Sequence, residues 1–410
     1  MTERLYYDDS HLTEFEARVV SVKHDAQGRA LVTLDRTAFY PTGGGQPADT
    51  GALGEARVVD CVEDEEACVL HVVEGDAPEA GAVVRGRVDW PRRLDHIQQH
   101  TGQHILSQAF VELHGAQTRG FRMMSDACEI DVDLRDPSDE KVERAVDRAN
   151  EIVWADRAVR IHNVTQEEAA RLPLRKDSAR EGELRIIEIE GFDFSPCGGT
   201  HARTTGEVGL VAARHWERAK GLVRVTFVAG TRALSDYRRA NRTARAAASL
   251  FSVARDEAAD AVGRLQDENK QLLRRLRSAE ESAARAEARE LVEETDRETG
   301  SETRFVAAST LRVISRVFDG RDAEALRRLA AALAAHAGTV ALLGSKDEGG
   351  ARLVFARSAD VGADMNALMR EACQTLGGRG GGRPDLAQGG GPLAEKLSEV
   401  IEEAARKARG

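Results

Sequence analysis

Residues 234–299 contain one glycine and no proline, and alanine, arginine and glutamate dominate this stretch. Such a composition is typical of a long helix or a coiled coil. A heptad frame places apolar side chains at successive d positions, namely Phe251, Ala258, Leu265, Leu272, Ala279 and Ala286, and at the a positions Val262, Leu276 and Ala283. Polar residues interrupt the a positions at Arg255, Asn269 and Glu290. The pattern leaves two structures open: a helix that pairs with a second copy of the chain, and a charged helix that folds back within one chain.

The long helix separates regions that have other patterns. Between residues 15 and 90, short apolar runs such as "RALVTL" and "ACVLHVVE" alternate with turn residues, as strands of a small barrel or sandwich do. Residues 91–232 combine amphipathic helical periods with strand-like runs, which indicates an α+β domain. After the helix, the order strand, helix, strand, strand and helix, beginning with a strand at 303–310, indicates an α/β domain.

We therefore predict an α+β protein. A chain of 410 residues, of which 41% are hydrophobic, is long enough for two or three cores, and the 4% of aromatic residues means that these cores are largely aliphatic. The predicted parts are a β-barrel-like domain at 1–90, an α+β domain at 91–232, a helical coiled-coil connector at 233–300 and a C-terminal α/β domain with a glycine-rich segment at 301–410.

Charge and composition also bear on the compartment and on the partners. No apolar run approaches the ~20 residues of a membrane-spanning helix, and the N-terminus lacks the basic-then-apolar order of a signal peptide. We therefore expect a cytoplasmic protein that does not contact membranes. The five cysteines, an odd number, argue against a disulfide framework. The net charge of −11 does not exclude a nucleic-acid partner, because a local basic groove can bind phosphates on an acidic protein.

Two short motifs together predict a metal site. In "HTGQH", His100 and His104 lie one helical turn apart and project from the same face. In "CGGTH", glycines allow Cys197 and His201 to converge from a loop. Three imidazoles and one thiolate favour zinc over magnesium or calcium. His96 extends the histidine stripe by one turn, and we expect a surface or capping role for it rather than a metal bond.

Two enzyme classes can be compared with the same motifs. A zinc protease of the His-Glu-x-x-His type needs a glutamate beside the first histidine, and that position is Thr101, so this class is excluded. The same motifs also fit an enzyme in which a neighbouring histidine activates Cys197 as a nucleophile. Four convergent nitrogen and sulfur groups fit a metal better than a nucleophile pair.

A glycine-rich loop, "FYPTGGGQPADTG", occupies 39–51 between predicted strands. No lysine follows the glycines, so it is not a phosphate loop of the Gly-x4-Gly-Lys type. Its polar residues Thr42, Gln46 and Asp49 could face a small ligand. The alternative is a tight turn in which the glycines serve only the backbone.

A second glycine-rich segment, "GGRGGGRPDLAQGGG", occupies 377–391 and carries Arg379 and Arg383. We expect its backbone to be too flexible to pack as a helix or a strand. Such a segment could wrap a phosphate backbone with main-chain N–H groups and guanidinium groups, or it could simply be a flexible connector.

Four motifs in this order resemble a known family. "FYPTGGGQPADTG", "RRLDHIQQHTGQHILSQAF" and "FDFSPCGGTHARTTGEVG" resemble the editing domain of alanyl-tRNA synthetase and its free-standing relatives, the AlaX-type alanyl-tRNA editing proteins. The C-terminal glycine-rich segment is similar to the end of the synthetase's C-terminal domain. The resemblance covers nearly the whole chain, including the helical connector, and is to the long AlaX form.

The resemblance implies that the chain is a zinc-dependent aminoacyl-tRNA deacylase, which removes serine and often glycine wrongly esterified to the alanine tRNA. It places the zinc ligands at His100, His104, Cys197 and His201 and assigns recognition of the serine hydroxyl to Thr42. It implies catalytic-site roles for Thr42, Gln46 and Gln103, and substrate contacts for Thr42, Gly43, Gly44, Arg379 and Arg383. The C-terminal domain is implied to hold the tRNA, and the coiled coil is a candidate homodimer seam.

A hypothesis from another class explains the same ligand set. Zinc sites closed by four Cys and His ligands are most often structural. The chain would then be a non-catalytic, zinc-containing RNA-binding protein whose coiled coil recruits partners.

Overall fold

The structure, a computed structural model, describes residues 2–175, 182–298 and 311–409. The chain divides into two compact units, Met1–Ser249 and Leu250–Gly410. The strand expected at 303–310 lies outside the described residues.

The first part of unit one is a six-stranded closed barrel, which confirms the predicted barrel. The strands of this region are β1 (Glu3–Arg4), β2 (Glu14–His24), β3 (Ala30–Leu34), β4 (Arg36–Thr37), β5 (Gly51–Leu53), β6 (Ala56–Glu63), β7 (Val69–Glu74) and β8 (Val83–Val88). The barrel order is β2-β3-β7-β6-β5-β8, and β1 pairs with β4 beside it. Alternating apolar side chains fill the barrel, as the period of two in strands such as β2 requires.

The rest of unit one surrounds one long helix. Its elements are α1 (Trp90–His114), β9 (Thr118–Met123), β10 (Cys128–Val132), α2 (Asp139–Trp154), β11 (Val159–Val164), α3 (Gln166–Ala169), β12 (Leu184–Ile189), β13 (Asp193–Pro196), β14 (Val211–Ala219), β15 (Leu222–Ala229) and α4 (Gly230–Leu250). The strands form a four-stranded sheet of order β14-β15-β10-β9 and a three-stranded sheet of order β11-β12-β13. Ile97, Ile105 and Phe110 of α1 are fully buried in the core that α1 and α2 share with the larger sheet.

Local chemistry explains where α1 begins and ends. Pro91 stands in the first turn, where its missing N–H costs nothing, and Gly115 ends the helix in the left-handed conformation with φ 63°. At the start of α2, the side chain of Ser138 accepts a hydrogen bond from the Lys141 N–H, as an N-cap residue does.

Unit two is a mixed sheet that packs against helices. Its elements are α5 (Ala258–Glu298), β16 (Arg312–Asp319), α6 (Ala323–Ala334), β17 (Thr339–Asp347), β18 (Gly350–Arg357), α7 (Met365–Thr375), β19 (Arg379–Gly382), β20 (Leu386–Gly391) and α8 (Leu397–Arg409). The sheet order is β16-β17-β18-β20-β19. Only β16 and β17 run parallel, joined through α6, and the other three neighbouring pairs of the sheet are antiparallel.

Two sequence expectations concern unit two. The helix predicted at 234–299 is interrupted at residues 251–257, so that α4 ends at Leu250 and α5 begins at Ala258. The leucines of α5 at 265, 272, 273 and 276 are 52–54% exposed in the single chain. The expectation for 377–391 is wrong, because Arg379–Gly382 and Leu386–Gly391 are paired strands. Glycine in these strands lets the backbones approach α7, since a Cβ at Gly389 would lie 2.4 Å from the Cys373 sulfur.

No helix among the described residues is both long and apolar enough to cross a membrane.

Candidate metal centre

The two pairs of predicted ligands meet at one point in unit one. The buried middle of α1 carries His100 and His104, and the loop after β13 carries Cys197 and His201. One ligand atom from each of the four lies within 4.8 Å of the others. The Cys197 sulfur is 3.3 Å from Nε2 of His100 and 3.3 Å from Nε2 of His201. The structure therefore brings together two motifs that stand about a hundred residues apart in the sequence.

The spacing of these atoms fits a tetrahedral metal site. Zinc bonds of about 2.0–2.3 Å to nitrogen and sulfur imply ligand atoms roughly 3.3–3.6 Å apart at tetrahedral angles. The two sulfur-to-nitrogen distances of 3.3 Å lie at the short end of that range. Three nitrogens and one sulfur are also the donor types that zinc prefers.

A second polar group orients each histidine through its Nδ1 atom. Nδ1 of His100 donates to Oε1 of Gln46 at 2.7 Å, and Nδ1 of His104 donates to Oδ2 of Asp193 at 3.3 Å. Nδ1 of His201 lies 3.2 Å from the hydroxyl of Thr101. An amide or carboxylate oxygen can only accept, so Nδ1 of His100 and of His104 carries the proton and Nε2 keeps its lone pair for a metal.

Asp193 is itself fixed by further contacts. Nε of Arg175 donates to its Oδ1 at 2.9 Å, and the hydroxyl of Ser195 donates to its Oδ2 at 3.0 Å. Burial opposes ionisation of Asp193, but the hydrogen bond from His104 and the charge of Arg175 outweigh it and lower the pKa of the carboxyl. In return, although burial acts against its charged form, the contact with Asp193 raises the pKa of His104.

The Cys197 sulfur lies in surroundings that favour the thiolate. Burial opposes its charge, but His100 and His201 outweigh burial and bring the pKa of the thiol well below its ordinary value. The main-chain N–H of Gly199 also donates to the sulfur, at 3.4 Å. A thiolate is the form of cysteine that binds metals.

The glycines of "CGGTH" leave room for the histidine on α1. A Cβ at Gly199 would lie 2.1 Å from Cε1 of His100, which no side chain can tolerate. At Gly198 the nearest atom would be the Tyr7 hydroxyl at 3.4 Å, an ordinary contact. Only the second glycine is therefore required by close approach.

A cleft of about 550 Å³ opens over the cluster. His100, His104 and Cys197 line this cleft. Residues of the glycine loop, the tyrosines at 6, 7 and 40, and residues 118–121 of β9 also line it. The cluster is thus reachable from outside.

The residues predicted to take part in catalysis or to contact the substrate do not all lie at the cleft. Thr42, Gly43, Gly44 and Gln103 line the cleft. Gln46 is buried and contacts His100 and Thr200 instead of lining the cleft. Arg379 begins β19 in unit two and Arg383 follows that strand, and both are exposed.

Two sequence expectations are wrong at this site. Asp49 does not face a ligand, because it is fully buried and receives hydrogen bonds from Arg93 and from the Tyr40 N–H. His96 is not at the surface: it is 2% exposed, lies outside the four-residue cluster, and burial lowers its pKa to about 4. The polar stripe on α1 is therefore buried at His96 rather than exposed to solvent.

Sequence reasoning missed the groups that orient the histidines. Asp193 stands in the motif "DFSPCGGTH" itself, and the rule that metal-bound histidines donate to a carboxylate could have identified it. Thr101 stands inside "HTGQH", where its identity indicated only that the chain is not a zinc protease. No sequence signal pointed to the arginine at 185, whose guanidinium contacts the loop of Cys197.

Models of three protein families match the chain. Residues 2–92 match "tRNA synthetases class II (A)", residues 184–226 match "Threonyl and Alanyl tRNA synthetase second additional domain", and residues 309–410 match "DHHA1 domain".

Individual relatives match over nearly the full chain. The alanyl-tRNA editing protein AlaX-L of Pyrococcus horikoshii is 31% identical over 100% of this chain and 99% of its own length. The alanine–tRNA ligase of Pyrobaculum neutrophilum is 36% identical over 95% of this chain, which spans only 42% of that ligase. A solved structure, the C-Ala domain from Aquifex aeolicus alanyl-tRNA synthetase, is 30% identical over 26% of this chain and 97% of that domain, with a TM-score of 0.23.

Proposed function

Since the chain belongs to the family of the alanyl-tRNA editing protein AlaX-L, we propose that it is a trans-editing deacylase, which hydrolyses the ester of alanine tRNA charged with serine or glycine. The observation that carries this proposal is the cluster of His100, His104, Cys197 and His201, three of which line an open cleft. A role in translation also implies a cytoplasmic location.

The proposed reaction is attack by water on an ester carbonyl, and zinc is the proposed cofactor. When bound, zinc would lower the pKa of a coordinated water to about 7, or polarise a carbonyl. The chain's own part is to hold four ligands and to orient their rings through Gln46, Asp193 and Thr101. Four protein ligands would leave zinc no open position, which favours a role in shaping the cleft over direct contact with water.

Thr42 is the proposed group that recognises serine. It lines the cleft, and its hydroxyl accepts a hydrogen bond from the Ala48 N–H at 3.1 Å. Its backbone is held too, because the Thr42 N–H donates to the Cys61 carbonyl at 3.0 Å. With one lone pair of the hydroxyl occupied, its proton is available to a substrate hydroxyl. A site that hydrogen-bonds the serine hydroxyl would leave this group unpaired with alanine, which supports discrimination of up to ~10⁴-fold.

Gln103, Gly43 and Gly44 are proposed as further substrate contacts. All three line the cleft. The amide of Gln103 donates to the Ser107 hydroxyl at 2.7 Å, which fixes its orientation. Gln46, in contrast, is proposed to act on the reaction only through His100.

Unit two is proposed to bind the tRNA and to support dimerisation. Arg379 and Arg383 are exposed on and beside a glycine strand, where guanidinium groups can reach phosphates. The half-exposed leucines of α5 support a homodimer through a coiled coil. We also propose that the chain has four functional parts, with boundaries at residues 90, 232 and 300.

The rival function is a non-catalytic, zinc-containing RNA-binding protein. It is favoured by the closed set of four ligands, which is typical of structural zinc. The two functions differ in one observable property, the loss of the aminoacyl ester.

The deciding experiment incubates the protein with alanine tRNA carrying serine, glycine or alanine and follows release of the amino acid. We expect the serine ester, and then the glycine ester, to be cleaved, and we expect no cleavage by the double variant His100→Ala, His104→Ala. The control His114→Ala removes another histidine of α1, which lies outside the cluster and contacts the Lys141 carbonyl. The variant Thr42→Val should bring the rates for serine and alanine esters closer together. Tight binding of tRNA without release of amino acid would establish the rival function, and an unchanged rate ratio in Thr42→Val would remove the assignment of Thr42.

A further inference from the structure

Arg185 on β12 holds the loop that carries Cys197. Its Nη1 donates to the Cys197 carbonyl at 2.8 Å and to the Gly199 carbonyl at 3.0 Å. Its Nε donates to the Tyr7 carbonyl at 3.0 Å. The main chain adds a fourth bond, because the Cys197 N–H donates to the Arg185 carbonyl at 3.0 Å. One residue therefore ties both sides of Gly198 to the neighbouring strand and to the N-terminal segment.

Arg185 differs from other arginines nearby in having no carboxylate partner among the described residues. Arg160 on β11 pairs with Glu190 at 2.7 Å, and Arg175 pairs with Asp193 at 2.9 Å. The guanidinium of Arg185 instead lies over the ring of Tyr7, 5.3 Å from its centroid. Its Nη2 is buried without a partner in the part of the chain that the structure describes.

Leaving a buried guanidinium N–H without a partner costs free energy, because the donor loses its hydrogen bonds to water. An ion pair with the described residues does not explain the position of Arg185. The contacts that it does make are all with backbone carbonyls or the Tyr7 ring, and two of those carbonyls belong to the "CGG" loop.

The loop needs such support, because glycine prefers no single backbone conformation. The Cys197 sulfur must nevertheless point at the two helix histidines, and Gly199 must pass against the ring of His100. A planar guanidinium that donates two bonds to carbonyls on either side of Gly198 limits the conformations open to this segment. Without it, these carbonyls would lose their partner and the loop would move more freely.

We propose that Arg185 is a positioning residue that holds the Cys197–Gly199 loop in the shape that metal binding requires. This inference rests on the metal centre of the proposed function. It assigns Arg185 an action through the loop, with no contact to the metal. Removal of groups that orient metal ligands typically weakens metal binding ~10–100-fold, and we expect an effect of that size here.

The test compares Arg185→Met, which removes all donors, with Arg185→Lys, which keeps the charge but lacks the planar fork. The control Arg160→Met removes an exposed arginine from the neighbouring strand of the same sheet. Two quantities are measured on the full-length protein: hydrogen exchange of the amides at 197–201 in metal-free protein, and zinc affinity by competition with a coloured chelator.

We expect Arg185→Met to exchange these amides at least tenfold faster and to bind zinc ~10–100-fold more weakly, with Arg185→Lys in between and Arg160→Met like the wild type. Loop exchange and zinc affinity that stay at wild-type values in both Arg185 variants would overturn the inference. If Arg185→Met proves unfolded, Arg185→Lys alone decides by the same two criteria. A wild-type protein that binds no zinc would refute the proposed metal centre, and the exchange rates would still decide whether Arg185 holds the loop.

Discussion

The loop at 197–199 in unit one and the strands β19 and β20 in unit two are both rich in glycine, and in both an added Cβ would collide with a neighbour. In the loop, the neighbour of Gly199 is the ring of His100, at 2.1 Å. In the strands, the neighbour of Gly380 and Gly389 is the sulfur of Cys373 on α7, at 2.5 and 2.4 Å. The loop glycine makes room for a candidate metal ligand, whereas the strand glycines let a sheet approach a helix.

This difference shows that a glycine run does not by itself mean flexibility. The strands are fixed by main-chain hydrogen bonds, which run from β19 to β20 and from β20 to β18. The loop is fixed largely by other side chains, above all that of Arg185. We therefore expect substitutions in the loop to affect the metal site, and substitutions in the strands to affect stability.

The largest effect is expected for Gly199→Ala. The new methyl would occupy the position of the His100 ring, so the four ligand groups could no longer converge, and zinc binding and ester hydrolysis should both be lost. The matched control is Gly198→Ala, whose methyl would meet the Tyr7 hydroxyl at 3.4 Å, and it should keep most of the affinity. Zinc content by elemental analysis and the deacylation rate measure the outcome. Equal zinc content in the two variants would contradict the assigned role of Gly199.

The next effect concerns the buried pair that fixes the other glycine loop, at 39–51. Asp49 and Arg93 are both fully buried, and Nε of Arg93 lies 3.1 Å from Oδ2 of Asp49. Replacing Asp49 by Asn leaves the guanidinium without its charge partner, which should cost about 3–5 kcal/mol of unfolding free energy.

The control for this pair is Glu74→Gln in the same barrel. Glu74 pairs with Arg57 at 3.6 Å, and both side chains are exposed, so its loss should cost less than about 1 kcal/mol. Denaturant-induced unfolding measures both variants. Similar midpoints for the two would show that the buried pair does not hold the loop.

A smaller effect, on pH dependence, is expected from His71 inside the barrel. Its Nε2 lies 2.8 Å from the Thr37 hydroxyl and its Nδ1 2.9 Å from the Val32 carbonyl. Burial lowers the pKa of His71 from 6.5 to about 4. Between pH 6.5 and 4, His71 is therefore protonated in the unfolded chain but neutral in the folded chain. The stability that this histidine contributes above pH 6.5 is lost as the pH falls through this range.

By pH 5 this loss amounts to about 2 kcal/mol for a fully buried histidine with that pKa. The destabilisation caused by His71→Gln should therefore be smaller at pH 5 than at pH 7 by about this amount, measured by urea unfolding. His24→Gln, at an exposed position on β2, is the control. A difference that stays constant with pH would refute the assignment to His71.

The strand glycines give the last test of the comparison. Gly389→Ala should destabilise unit two by about 1–3 kcal/mol through overpacking against Cys373, and zinc binding should be unchanged. Gly362→Ala, with no atom within 4 Å of the added Cβ, is the control in the same unit. Hydrogen exchange in β18 and β20 reports the stability of this sheet. Loss of zinc from Gly389→Ala would mean that the two glycine regions are not independent.

Much of the fold could be predicted from local pattern. The strand runs at 29–34 and 67–74 correspond to β3 and β7, because short apolar runs between turn residues are typical of buried strands. Pro91 in the first turn of α1 and Gly115 after its last residue are likewise local signals of where the helix begins and ends. The strands at 379–382 and 386–391 could not be predicted, since a glycine strand has no side-chain pattern and depends on the partners that it pairs with.

The candidate site also has a part that the sequence predicts and a part that depends on the tertiary structure. The sequence determined that His100 and His104 share one face of a helix and that Cys197 and His201 share one short loop, because both facts follow from spacing along the chain. Only the tertiary structure decided that the two pairs meet, that Gln46, Asp193 and Thr101 orient the rings, and that Arg185 holds the loop. These contacts join residues from the barrel, α1 and the smaller sheet, and such convergence depends on how the elements pack, which spacing within any one segment does not record.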